Sequence, residues 1–234
     1  MKEEKLEVKS GFPSFMSKIY AWMAGGILLS AITVYIILYT FSPIANAFWN
    51  LMEATNGWAA YGFILELVLV FSFRFNPEKM QHTANYATKF IAYSIVNGVT
   101  LAIILLMYTE ASILNAFIST FALFVVMSAI GFITKRDLSK LGGILFSMLI
   151  GLIIASVINL FLLRSSTADF ILSIITVIIF TGLTAYDTQK CKAIYAQYGE
   201  TTTVSSLAII CALELYLDFI NLFLGILRIF GNRK

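Results

Sequence analysis

The run from Leu207 to Phe230, LAIICALELYLDFINLFLGILRIF, constrains this chain more than any other stretch. It is apolar enough to enter a bilayer, yet it carries Glu214, Asp218, Asn221 and Arg228. At about 1.5 Å per residue it rises about 36 Å as a helix, against a hydrocarbon core of about 30 Å. An acid near the middle of such a helix costs about 2.5–3.5 kcal/mol on an insertion scale. That cost is borne only where the acid faces protein or water. The run is therefore expected inside a helical bundle, shielded by the other helices.

The rest of the chain agrees with a membrane setting. Of its 234 residues 59% are hydrophobic and 12% charged, against about 25% charged in a soluble domain. We expect an all-α membrane protein: a polar tail over residues 1–16 and one transmembrane domain over residues 17–234. Seven spans are read, at about 17–41, 57–75, 88–108, 113–133, 141–163, from 168 onward, and 207–230. Short connections make successive spans antiparallel neighbours. The first apolar run lacks a small-x-small cleavage site and reads as a retained span. The net charge of +3 is small and does not imply nucleic acid.

Lys and Arg set the expected orientation. They gather in the tail, at Lys18, Arg74, Lys79, Lys89, Lys135, Arg136 and Lys140, and at Lys190 and Lys192. The opposite side holds only Arg164, Arg228, Arg233 and Lys234. The protein is thus expected as a multi-pass cell-membrane protein with a cytoplasmic N-terminus. Seven full spans would put the C-terminus outside; a re-entrant last helix would return it to the cytoplasm.

The sixth span extends beyond its apolar core. Thr184 to Gly199 contains no proline, and Gly199 is a natural stop. A helix reaching about residue 198 lets Lys190 and Lys192 snorkel to the headgroups and draws Asp187 inside the bundle. Asp169 is expected to cap its start. On the fifth span Gly143, Ser147, Gly151 and Ala155 recur every fourth residue, a stripe that would let a neighbouring backbone approach.

Glu214 and Asp218 are four residues apart and share a helix face, which Asn221 continues. Asp187 enters from the preceding helix. If Asp187 and Asp218 meet away from bulk water, both cannot stay charged, and they share a proton. Such a pair can sense pH without histidine; the single histidine, His82, lies in a polar loop. The same oxygens suit Ca²⁺, which takes six to eight oxygen ligands, with Asn221, backbone carbonyls and water supplying the others. Glu66, in the second span, and Arg228 have opposite charge and are candidates for an ion pair. Cys191 and Cys211 lack metal-ligand spacing and read as small apolar fillers.

These residues resemble a known family. LYLDFINLFLGILR, Leu215 to Arg228, is similar to the C-terminal signature of the transmembrane Bax inhibitor motif family. AYDTQK (Ala185 to Lys190), TKRDLSKLGG (Thr134 to Gly143) and ILEL (Ile64 to Leu67) resemble further segments of its bacterial members. The resemblance implies seven helices, the last one central and wrapped by two three-helix layers. It implies a pH-sensitive calcium leak whose aspartyl pair is Asp187 and Asp218, with calcium as the transported ion and no cofactor. It makes Arg74 the nearest match to an arginine that latches the first aspartate, and it matches Glu66 and Arg228 to pore positions. Two features depart from the family. Glu214 stands where a small or neutral polar residue is expected, and the segment between the aspartates is longer.

Other readings use the same acids. A proton-coupled transporter or a non-conducting stress or interaction protein fits the composition. An intramembrane aspartyl protease also pairs two aspartates, one after a tyrosine as in Tyr186-Asp187. Its second aspartate, however, sits in a Gly-x-Gly-Asp context, where this chain has Leu215-Tyr216-Leu217-Asp218. No enzymatic activity is expected.

Overall fold

The structure is a computed structural model that describes residues 11–40, 83–199 and 204–234. These residues form six helices, each long and apolar enough to cross a membrane. They are α1 (Phe12–Tyr35), α2 (Thr83–Leu105), α3 (Glu110–Ile133), α4 (Ser139–Ile158), α5 (Ser166–Tyr198) and α6 (Val204–Phe230). Single π-helical turns, Ile36–Thr40 and Asn159–Leu163, continue α1 and α4. The expected second span, with Glu66 and Arg74, lies outside the described residues, as does His82.

Helix α1 begins earlier than its hydropathy indicates. Pro13 occupies the first turn, where its missing N–H is no loss. Phe12, Phe15 and Met16 are buried, so residues 12–16 belong to the helix and not to the polar tail. At its far end α5 runs on to Tyr198, as the absence of proline predicts.

The chain divides into two compact units. In one, α1 and α2 pack through small residues. The Ser30 hydroxyl donates to the Ser94 carbonyl at 2.7 Å. A Cβ added at Gly98 would lie 2.8 Å from the Ser30 carbonyl oxygen, so only glycine allows this approach. The Trp22 ring stands edge-on against Phe90. The first part of α6, to Leu213, belongs to this unit, where Ser206 and Thr83 share a hydroxyl hydrogen bond of 3.1 Å.

The other unit contains α3, α4, α5 and α6 from Glu214 onward. Here α5 is the hub. Gly131 of α3 lies so close to the Ala185 carbonyl that any side chain would overlap it, and Ser128 hydrogen-bonds Thr188 at 3.1 Å. Gly142 of α4 backs onto the Tyr186 ring, and Leu145 fills the space over Gly182. Gly225 brings α6 against Val177 and Ser173. Leu145, Leu152, Ile179, Phe180, Leu183 and Leu222 form the apolar core of this assembly. Phe117 and Phe124 of α3 meet Phe219 of α6 edge to face.

Among the described residues, no backbone packs on the expected stripe at Gly143 and Gly151: neither has anything within 4 Å of a built Cβ, and with Ser147 they are exposed. The adjacent face, through Gly142 and Leu145, makes the contact. Spacing identified a smooth face on α4, but Gly142 one residue away serves equally well, and the bulk of Tyr186 selected it.

Local polar chemistry closes the ends of this unit. The Arg164 backbone is left-handed, with φ of 48°. Asn159 bridges that turn: its side-chain oxygen accepts from the Ser165 amide, and its Nδ2 donates to Asp169 at 2.6 Å. The Ser165 hydroxyl, not Asp169, caps α5, accepting from the Ala168 amide. Asp169 lies one turn in and holds Asn159 instead. At the opposite end the Gln189 side chain grips the α3–α4 connection. It accepts from the Leu138 amide at 2.8 Å and donates to the Arg136 carbonyl at 2.8 Å.

The chain end is equally fixed. The Thr109 amide donates to the Asn232 carbonyl, and the Asn232 amide to the Ser112 hydroxyl. The C-terminus therefore lies beside the start of α3, at the end of this unit opposite the Gln189-gripped connection. Its last helix is continuous over 27 residues and does not turn back. Within the unit, Lys135, Arg136 and Lys140 mark one end, and Arg164, Arg233 and Lys234 the other.

Candidate functional site: an acidic cluster between two helices

Two segments build the site. On α5, Thr184 and Thr188 return their hydroxyls to carbonyls four residues back, at 2.8 Å each. This satisfies their buried donors without a second helix. Close packing of Gly131 on Ala185 and of Gly142 on Tyr186 fixes the rotation of α5, and Asp187 then turns inward. It is 9% exposed. On α6, Leu215, Tyr216, Phe219 and Leu222 are buried, and Glu214 and Asp218 follow one another on one face. Asp218 is 3% exposed. It lies 14 residues from the start of α6 and 12 from its end, about 21 Å and 18 Å along the axis, and is therefore deep in the span.

The carboxyl groups of Asp187 and Asp218 lie within hydrogen-bonding reach of one another. Lys190 enters from one turn further along α5. Its Nζ is 2.5 Å from Glu214 Oε1 and 4.0 Å from Asp187 Oδ1. Among the described residues, two buried oxygens, Glu214 Oε2 and Asp218 Oδ2, have no hydrogen-bond partner, and three carboxylates face one ammonium. An unpaired carboxylate in such surroundings is costly, and a shared proton or a bound cation relieves that cost.

Of the residues singled out in sequence, Asp187, Glu214 and Asp218 come together. Asn221 does not join them through its amide, which donates to the Leu217 carbonyl of its own helix at 2.8 Å. Arg228 is exposed in the last turn of α6, where a cation complements the helix dipole. Its expected partner Glu66, and Arg74, lie outside the described residues. Lys190, expected to snorkel to the headgroups, places its ammonium on Glu214. Lys192 passes over the Phe132 ring, 5.9 Å from its centroid. The signal for Lys190 was present in the sequence as Glu214, an additional acid within an apolar span and in need of a counter-charge.

Among the described residues, no three His, Cys, Asp or Glu side chains form a ligand set for a resident metal. The cluster presents oxygens from two helices and already holds one cation, the lysine. Such an arrangement can exchange protons and cations. Cys191 and Cys211 are buried and, among the described residues, form no disulfide.

Comparison with known proteins extends these observations. Residues 13–234 match the family model described as inhibitor of apoptosis-promoting Bax1. The chain is 40% identical to the Escherichia coli K12 inner membrane protein YbhL over 98% of its own length and 96% of that protein. It is 40% identical to an uncharacterized membrane protein of Streptococcus pyogenes serotype M1, covering 95% and 94% of the two chains. A Borreliella burgdorferi protein is 38% identical, over 94% and 92%.

Proposed function

This chain belongs to the Bax inhibitor family of membrane proteins, and on that premise we propose that it is a pH-sensitive calcium leak channel gated by protonation of Asp187 and Asp218. The observation that carries the reading is Asp218 itself. It is deep in a membrane-spanning helix, within reach of a second carboxyl, and one of its oxygens has no partner among the described residues. Holding or losing one proton changes the net charge between α5 and α6, and with it the balance of forces between those helices. Glu214 and Lys190 face the same space and set the field in which the pair titrates.

In this reading Ca²⁺ and protons are the partners, the bilayer is the solvent, and no resident cofactor or catalytic step is involved. Hard carboxylate oxygens suit Ca²⁺, and water would complete its shell. Glu66, Glu214, Asn221 and Arg228 are assigned to the ion path, and Arg74 to a latch on Asp187. The proposed frame is the seven-helix one, with the last helix central and the N-terminus cytoplasmic. The test is Ca²⁺ flux into liposomes containing the purified protein, compared on either side of neutral pH. Asp218→Asn should remove the pH dependence. Unchanged pH dependence in that variant would rule out the pair as the gate.

A further inference from the structure

Lys190 does not itself carry the gating proton, yet its ammonium is paired with the acid cluster. Its Nζ contacts Glu214 Oε1 at 2.5 Å and stands 4.0 Å from Asp187 Oδ1. Its side chain is 36% exposed, while the Asp187 side chain beyond it is 12% exposed. The Glu214 side chain is 27% exposed, so the Lys190–Glu214 pair sits on the more accessible side of the cluster, with Asp187 and Asp218 deeper. Behind the ammonium, Glu214 Oε2 and Asp218 Oδ2 are buried without partners among the described residues. The long lysine stem is flexible, and its charge is a compact ammonium that can leave without breaking a helix. An arginine fork would pair bidentately with a carboxylate; this lysine engages one oxygen of Glu214.

We propose that Lys190 is a tethered cation that occupies the acid cluster in place of a divalent ion, and that the Lys190–Glu214 pair thereby limits divalent-cation binding. Bound to the ammonium, Glu214 offers a cation only one free oxygen. When Lys190 withdraws, Glu214 joins Asp187 and Asp218 as a third carboxylate. A divalent cation then replaces a monovalent one, and the two unpartnered oxygens acquire a partner. The competition follows from charge and oxygen count. The leak reading enters only in naming Ca²⁺ as the ion.

The experiment is isothermal titration calorimetry with Ca²⁺ on the full-length protein in lipid nanodiscs. Lys190→Met should bind Ca²⁺ at least about tenfold more tightly than the unaltered protein, through removal of the competing charge. Lys190→Gln keeps a hydrogen bond to Glu214 and carries the same prediction, so the test survives if the methionine variant fails to fold. Adding Glu214→Gln to either variant should abolish the gain. Affinity unchanged in the folded lysine variants, or a gain that persists with Glu214→Gln, would overturn the proposal. The readout is binding, not flux. Liposomes that carry no Ca²⁺ at any pH would count against the leak while the titration still decided the role of Lys190.

Discussion

Lys190 of α5 and Glu214 of α6 form an ion pair at 2.5 Å beside the Asp187–Asp218 pair. Among the described residues one ammonium thus serves three carboxyls, which leaves them short of positive charge. Within the membrane such an imbalance is expensive. Removing one carboxylate charge while keeping its shape should relieve it. Asp218→Asn is predicted to leave the folded protein as stable or more stable by about 1 kcal/mol, because the substituted side chain no longer leaves a buried anionic oxygen unpaired. Thermal unfolding in detergent measures this; a loss of several kcal/mol would mean that the Asp218 charge is itself a structural requirement.

The contact between α3 and α5 depends on Gly131. Gly131→Ala inserts a methyl group into the Ala185 carbonyl, and overpacking of this kind costs about 1–3 kcal/mol. The Ser128–Thr188 bond, next to the contact, should loosen with it. Gly143→Ala, on the outward face of α4, should cost nothing and serves as the control. Equal destabilisation of the two would contradict the packing described.

Gln189 holds the α3–α4 connection by bonds to Leu138 and Arg136. Gln189→Leu keeps the bulk and loses the bonds, each worth about 1 kcal/mol. Hydrogen exchange at the Leu138 amide should accelerate, while exchange within the core of α5 stays slow.

Much of this was legible in the sequence, for physical reasons. Apolar length alone locates the spans, because a bilayer demands about 20 residues per crossing. The inward position of Asp187 followed from a proline-free run ending at Gly199. What remained hidden depended on a partner's position. Lys190 can reach lipid headgroups or Glu214 with the same four-carbon stem, and only the crossing of α5 and α6 decides between them. Gly142 and Gly143 are adjacent, and only the Tyr186 ring distinguishes them. Ser165 and Asp169 are both acceptable caps; the left-handed turn at Arg164 places Ser165 at the helix start and gives Asp169 to Asn159.

Asp137, in the gripped connection outside the membrane-spanning helices, gives a pH prediction with a definite sign. Hydrogen bonds from Ser139 hold its carboxyl below the usual aspartate range. A group with a lowered folded value stabilises above its unfolded value and ceases to do so as pH falls through the folded one. Exchange at the Ser139 amide, which donates to Asp137 Oδ1 at 2.9 Å, should therefore be protected at neutral pH, beyond the intrinsic rate change, and lose that protection in acid. Asp137→Asn should flatten this dependence.

The most direct measurement is Ca²⁺ flux in liposomes for the unaltered protein and Asp218→Asn, at a pH above and a pH below neutrality. A flux that shifts with pH in the former and stays level in the latter is the predicted result. Equal pH dependence in both, with both proteins folded, would contradict gating by the Asp187–Asp218 pair.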